Sequence, residues 1–173
     1  MTTIIGIEDL DGCTLLADSQ TTSGDRPYFD KSLAKIVRRG DYLIAVAGSG
    51  RASDIINWRW RIPDADDAVD LYEFMITHIV PSVRLTLSAN NFSQEKDEDL
   101  YVMLIAIHGR IFEIETDGTV LVRQDGTYGI GTGAPYAIGA LAAGATPREA
   151  MQIAFRNDIY TGGDIQWVRQ GAR

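Results

Sequence analysis

Cysteine and histidine are nearly missing from this chain, and their scarcity narrows its chemistry. The 173 residues include one cysteine and two histidines. Cys13 cannot form an internal disulfide. In its apolar stretch it is expected to be a core residue in a reducing compartment, with the cytoplasm as the expected location. His78 and His108 lie far apart and lack metal-ligand spacing, which argues against a zinc site or a histidine-based triad. Any reaction here must proceed without histidine. Positive charge is also short: 16 Lys and Arg stand against 24 Asp and Glu, a net charge of −8. A nucleic-acid footprint is normally basic, so no nucleic-acid partner is expected. The dense basic clusters, Arg38-Arg39 and Arg59-Trp60-Arg61, read as surface features or subunit contacts. No apolar run approaches the roughly 18 residues of a membrane span. No basic segment precedes the apolar start, so neither a membrane partner nor a signal peptide is expected. Linkers rich in Pro, Gly and Ser, internal repeats and low-complexity tracts are all lacking. Residues 1–173 therefore read as a single domain.

What is present is a regular alternation of strand and helix signals. Residues 2–8 and 13–18 are apolar runs joined around Asp11-Gly12, a strong hairpin signal. Residues 34–38 and 42–47 repeat the pattern around Arg39-Gly40-Asp41. A helix is expected after Gly48-Ser49-Gly50, carrying Ile55, Ile56, Trp58 and Trp60. Asp66 and Asp67 would open a longer helix with Ala68, Leu71, Tyr72, Met75, Ile79 and Val83 at helical spacing, kinked or split by Pro81. Residues 93–99 read as a solvated loop. Strands follow at 100–107, 111–114 and 119–122. One helix then runs from Pro135 through Ala143 and stops at Gly144. Thr146-Pro147-Arg148-Glu149 is a capping box that starts a last helix through Ala154. A short strand around Ile165-Gln166-Trp167 ends the pattern. Two sheets packed on each other with helix layers outside would bury these faces.

The chemistry starts at Thr2. A small second residue is what an aminopeptidase needs to remove Met1. Removal would leave Thr2 with a free amine and a hydroxyl. A model α-amino group has a pKa of about 7.7–8.0 and can accept a proton near neutrality, so Thr2 could carry both nucleophile and base. Such a hydroxyl needs a nearby cation. Lys35, flanked by apolar residues, is expected on a largely buried strand and would need a carboxylate to stay charged. Asp18, at the end of a buried strand, would serve. From spacing alone, Asp18 as a strand-end cap and Lys35 as a snorkelling edge residue stays an open alternative.

Six segments resemble proteasome β-type subunits, in particular the HslV-like threonine peptidases. They are Thr2-Thr3-Ile4-Ile5, Ala17-Asp18-Ser19-Gln20-Thr21-Thr22, Lys35-Ile36, Ala47-Gly48, Gly131-Thr132-Gly133-Ala134-Pro135-Tyr136-Ala137 and Asp158-Ile159-Tyr160-Thr161-Gly162-Gly163. They span residues 2 to about 165 in register. The resemblance implies an α+β fold, the four-layer αββα sandwich of N-terminal-nucleophile hydrolases. It also implies a self-compartmentalising threonine endopeptidase that cuts peptides inside a homo-oligomeric ring, stacked as a double ring and served by an AAA+ unfoldase. Thr2 would attack the scissile carbonyl. Lys35, paired with Asp18, would lower the hydroxyl pKa, and the Gly48 N–H would form the oxyanion hole. Thr132, Asp158 and Thr161 would orient the nucleophile. Thr22 and Ser49 would hold an extended peptide by main-chain hydrogen bonds, and Val46 would line the pocket before the cut. No cofactor is required. A structural monovalent cation such as Na⁺ would be held by the backbone carbonyls of Phe155, Asp158 and Thr161.

Two features depart from the family pattern. The family has Ser at the position of Thr132 and, in many members, at Thr161; both threonines keep a hydroxyl and add a methyl. The loop from Ser23 to Phe29 and the turn from Ser49 to Ser53 each look about one residue longer. Lys31 thus stands as an alternative to Lys35, although the Lys-Ile-Val context favours Lys35. Rival functions are a small-molecule amidase of the same fold and a catalytically silent ring-forming relative.

Overall fold

A computed structural model describes residues 2–24, 26–29, 34–65, 70–92 and 100–172. The elements are β1 Ile4–Asp9, β2 Gly12–Ala17, β3 Gln20–Ser23, β4 Arg26–Phe29, β5 Ile36–Arg39 and β6 Tyr42–Gly48. They continue with α1 Gly50–Arg59, α2 Leu71–Phe74, a wide π turn Met75–Ile79, α3 Val80–Ala89, β7 Tyr101–Ile107, β8 Arg110–Ile114, β9 Val120–Leu121 and β10 Thr127–Ile130. The last are α4 Ala134–Ala142, α5 Pro147–Asn157 and β11 Gln166–Gly171. One antiparallel sheet has the order β10-β1-β2-β11 and the other β5-β6-β7-β8-β9, with β3-β4 as a separate hairpin.

Successive residues of a strand face opposite sides of its sheet, and here both sides are covered. Ile4, Leu15, Leu43, Ala45, Leu104 and Ile111 meet between the two sheets. Their neighbours Ile5 and Leu16 pack under Ala137, Ala150, Met151 and Ala154 of α4 and α5. Ile44, Met103 and Ile105 pack under Ile56, Met75, Ile79 and Val83 of the other helices. Three apolar interfaces between four layers give the αββα sandwich. Because both faces of each sheet are buried, the inner strands read as continuous apolar runs.

The middle of the chain differs from the sequence expectation. Pro81 sits in the first turn of α3, and the five-residue π turn just before it widens the helix. Proline lacks the N–H and crowds the carbonyl four residues back. The extra residue in the turn relieves that crowding, so the helix widens instead of splitting. Asp66, Asp67 and Ala68 lie outside the described residues. The described helix is capped by Asp70, which accepts from Tyr72 N and Glu73 N at 2.8 and 3.2 Å. Trp60 ends α1 in an extended conformation and is buried, its indole donating to Ser82 Oγ at 2.8 Å. Trp58 is 81% exposed. β4 lies within the segment from Ser23 to Phe29 read as a loop, and β3 and β10 lie where the sequence pattern gave no strand. Cys13 is fully buried, and burial pushes its thiol up to about 12, as suits an inert core residue.

Candidate active site

Thr2, at the head of β1, is flanked by Asp18 at the end of β2. These strands pair Ile4 with Ala17, and the pairing continues past the ladder as Asp18 N donates to Thr3 O at 3.1 Å. The hairpin therefore delivers both residues to one place. Lys35 stands just before β5, on the facing sheet, at a bend. Its ammonium donates to Asp18 Oδ1 at 2.7 Å, to Gln20 O at 2.5 Å and to Thr2 Oγ1. Thr2 Oγ1 in turn donates to Asp18 Oδ1. An ammonium has three donors, and all three are used.

Asp18 accepts from five donors: Thr2 Oγ1, Thr3 N at 3.0 Å, Lys35 Nζ, Gln20 N at 3.1 Å and Gly162 N at 3.2 Å. Among the described residues these hydrogen-bond partners are all donors, so both carboxyl oxygens serve as acceptors. Burial lowers the Lys35 pKa below its ordinary value, and the adjacent Asp18 charge and hydrogen bond only partly offset that shift. In its charged form Lys35 has no capacity to accept the Thr2 proton. The arrangement polarises the hydroxyl and leaves proton transfer to another base.

Gly48 ends β6 with φ +99°, and a Cβ there would come within 2.2 Å of Leu100 O. Glycine is thus required by the backbone conformation and by β7, rather than by close approach of a ligand alone. Ser49 N donates to Leu100 O at 3.1 Å. Alternation along an antiparallel ladder then turns the Gly48 N–H to the opposite edge of β6. That edge looks past the start of β5, where Ile36 pairs with Ala45. Thr2, Lys35, Val46, Gly48 and Ser49 line one cleft of about 520 Å³. Ser53, Asp54, Asn57 and Trp58 of α1 add a polar and aromatic wall that the sequence reading did not include.

Thr22, expected to hold a peptide through its main chain, does not itself line the cleft. Its neighbour Thr21 lines the cleft, while the Thr22 hydroxyl accepts from Gln20 Nε2 at 3.2 Å. One residue of strand alternation separates the two side chains.

The second cluster lies behind the first. Asp158 Oδ2 accepts from Thr132 Oγ1 at 2.7 Å and from Thr161 Oγ1 at 2.6 Å, and Oδ1 accepts from Tyr160 N at 3.1 Å. Thr161 Oγ1 also meets Thr3 Oγ1 at 2.7 Å. The cluster thus reaches the head of β1 through Thr3, fully buried, which the sequence reading missed. The period of two was the available signal: Thr2 and Thr3 must face opposite ways. The Gly-Thr-Gly run explains itself here. A Cβ at Gly131 would fall 2.1 Å from Thr2 O, and one at Gly133 would fall 2.0 Å from Thr3 Oγ1. Only the central residue has room for a side chain.

Burial alone would push the Asp158 carboxyl up. Donation from Thr161, Thr132 and the Tyr160 N–H outweighs it, so its pKa lies below the usual 3.8. A depressed carboxyl pKa contributes stability above the unfolded value and loses it as pH falls through the folded value. The stability advantage of wild type over Asp158→Asn should be full above pH 3.8 and shrink below it. Thermal unfolding of both proteins across that range checks this; a constant difference would contradict it.

An αββα sandwich with a threonine hydroxyl at the head of a strand and a lysine–aspartate pair on it has the fold of the N-terminal-nucleophile hydrolases. The proteasome subunit family model matches residues 1–166. This chain belongs to the proteasome subunit family. Among solved structures, Thiobacillus denitrificans BPH in complex with epoxomicin is similar with a TM-score of 0.82 at 20% identity, over 99% of this chain and 100% of that one. HslV from Trypanosoma brucei is similar at 0.64 and 24% identity, over 98% and 100%. Anbu from Pseudomonas aeruginosa, solved as a helical assembly, is similar at 0.68 and 17%, over 98% and 81%. At these identities the likeness is one of fold.

Proposed function

We propose that this chain is the peptidase subunit of a self-compartmentalising protease, a threonine-type endopeptidase whose nucleophile is Thr2 once processing leaves it first. The three-way contact of Thr2, Asp18 and Lys35 at the floor of the cleft carries this reading. The Thr2 hydroxyl attacks the scissile carbonyl and its own amine takes the hydroxyl proton, since charged Lys35 has no acceptor to offer. The carbonyl oxygen becomes an oxyanion beside the Gly48 N–H. Losing one such donor costs about 2.7–4 kcal/mol in well-studied enzymes. The amine returns the proton to the leaving nitrogen, and water then releases the acyl group from Thr2. Asp158, Thr132 and Thr161 fix the start of β1 by way of Thr3.

No cofactor enters these steps. A monovalent cation held by the backbone carbonyls of Phe155, Asp158 and Thr161 belongs to the proposal as a structural adjunct. The Asp158 carbonyl already accepts from Thr161 N at 3.2 Å and has one further lone pair for such an ion. Among the described residues no cluster of His, Cys, Asp and Glu could hold a metal, and no helix is long and apolar enough to cross a membrane. We assign the protein to the cytoplasm, with an AAA+ unfoldase as partner.

An open site of this kind would digest cytosolic proteins, so ring assembly follows from the same reading. Trp60 is buried and drops out as a ring contact, whereas Trp58, Tyr72, Ile76 and Leu85 are exposed on the helical layer. A heterologous interface closes into a ring or, when its rotation fails to close, extends into a helix. The helical Anbu assembly is the second outcome. Light scattering should find a closed multimer of roughly ten to fourteen subunits. A stable, active monomer would overturn this and favour a small-molecule amidase.

A further inference from the structure

β11 closes one sheet beside β2, and alternate residues Gln166, Val168 and Gln170 pair with Ala17, Leu15 and Cys13, all on the face between the sheets. Val168 packs there. The two glutamines reach across to the opposite sheet, one at each end. At the end away from Thr2, Gln170 Nε2 donates to Asp41 O at 2.6 Å and its Oε1 accepts from Gly109 N at 3.0 Å. At the end near Thr2, Gln166 Oε1 accepts from both Lys35 N at 2.9 Å and Ile36 N at 3.0 Å, and its Nε2 donates to Ile36 O at 2.7 Å.

Consecutive N–H groups of an extended strand point to opposite edges. For both to reach one oxygen the backbone must bend at Lys35, and the bend is present. It lies just ahead of β5, whose ladder to β6 begins with Ile36 against Ala45. The Gln166 amide thus acts as a short piece of backbone, giving the Lys35–Ile36 segment three hydrogen bonds from the opposite sheet. From that bend the Lys35 side chain crosses to Thr2, Asp18 and Gln20.

We propose that Gln166 is a positioning residue for the nucleophile: its side-chain amide sets the backbone bend from which Lys35 reaches Thr2. This rests on the peptidase reading above. Lys35 has short contacts on all three of its donors, so a displacement of its Cα breaks several at once. Misplacement by about 1 Å can cost roughly a hundredfold in rate. Peptide binding along the cleft walls does not use Gln166, so KM should hardly move.

The test compares Gln166→Met with Gln170→Met. Each keeps side-chain bulk and removes the amide, and each deletes cross-sheet bonds from the same strand. Both should lower the unfolding temperature. Gln166→Met should lower kcat for a small peptide about ten- to a hundredfold with KM within about twofold. Gln170→Met should keep kcat within about twofold. Equal kcat for both variants would reduce Gln166 to a structural tie and overturn the inference. A crystal structure of Gln166→Met supplies a readout independent of turnover: Lys35 Nζ should leave Asp18 Oδ1. A retained contact at 2.7 Å overturns the inference even if the protein hydrolyses nothing. A wild type without peptidase activity overturns instead the function on which it rests.

Discussion

Thr2→Ala should abolish hydrolysis of small fluorogenic peptides while the protein still folds and assembles. The side chain is small and buried, and alanine leaves Lys35 and Asp18 paired with each other at 2.7 Å. The hydroxyl is the only part of Thr2 that the site engages by side-chain hydrogen bonds. Deleting a nucleophile in a hydrolase removes the covalent route, and a fall in kcat of roughly 10⁴-fold or more follows. Thr2→Ser should retain part of the activity, since hydroxyl and amine both remain. Steady-state kinetics on purified assemblies distinguish the two variants. Unchanged hydrolysis by Thr2→Ala would remove Thr2 from the chemistry.

Lys35→Ala and Asp18→Asn should each lower kcat by about 10²–10³-fold, the range seen when one preorganised electrostatic contact to a reacting oxygen is removed. Their structural costs differ in kind. Lys35→Ala leaves the Asp18 carboxylate buried with four neutral donors, those from Thr2, Thr3, Gln20 and Gly162. Breaking a buried ion pair typically costs about 3–5 kcal/mol. Asp18→Asn puts an amide NH₂ among groups that are all donors, so one edge of the side chain must face N–H groups it cannot accept from. Activity should be measured well below each variant's unfolding temperature to separate rate from stability. Lys31→Ala serves as the register control and should be active. An inactive Lys31→Ala beside an active Lys35→Ala would mean that the wrong lysine has been assigned. Lys31 itself lies outside the described residues.

The layers were legible because the sheets are buried on both faces. Continuous runs such as Leu43 to Ala47 and Met103 to Ile107 need apolar cover on both faces, and the four-layer stack supplies it. Thr2, Asp18, Lys35 and Gly48 were legible from six short segments in register, since no single segment is specific. The structure brings Thr2, Lys35 and Gly48, with Val46 and Ser49, into one cleft, and Asp18 is buried behind it against Thr2 and Lys35. Gln20, Thr3 and Gln166 were not legible. Their roles depend on which side of a strand each faces and on where the opposing sheet runs, and local sequence carries neither. That Thr21, and not Thr22, lines the cleft was hidden for the same reason, since neighbouring strand residues face opposite sides. The β3–β4 hairpin was hidden by its exposure, since Arg26 to Phe29 are all solvent-facing and show no alternation. The π turn before Pro81 was hidden because proline announces an interruption but not how the helix absorbs it.

The proposed chemistry requires that Thr2 becomes the first residue and acts as nucleophile. Intact-mass spectrometry of the purified protein, before and after reaction with a peptide vinyl sulfone, tests this most directly when followed by fragmentation of the N-terminal peptide. The expected polypeptide begins at Thr2 and carries a single adduct on that residue. An active protein that retains Met1, or an adduct on any other residue, would contradict it.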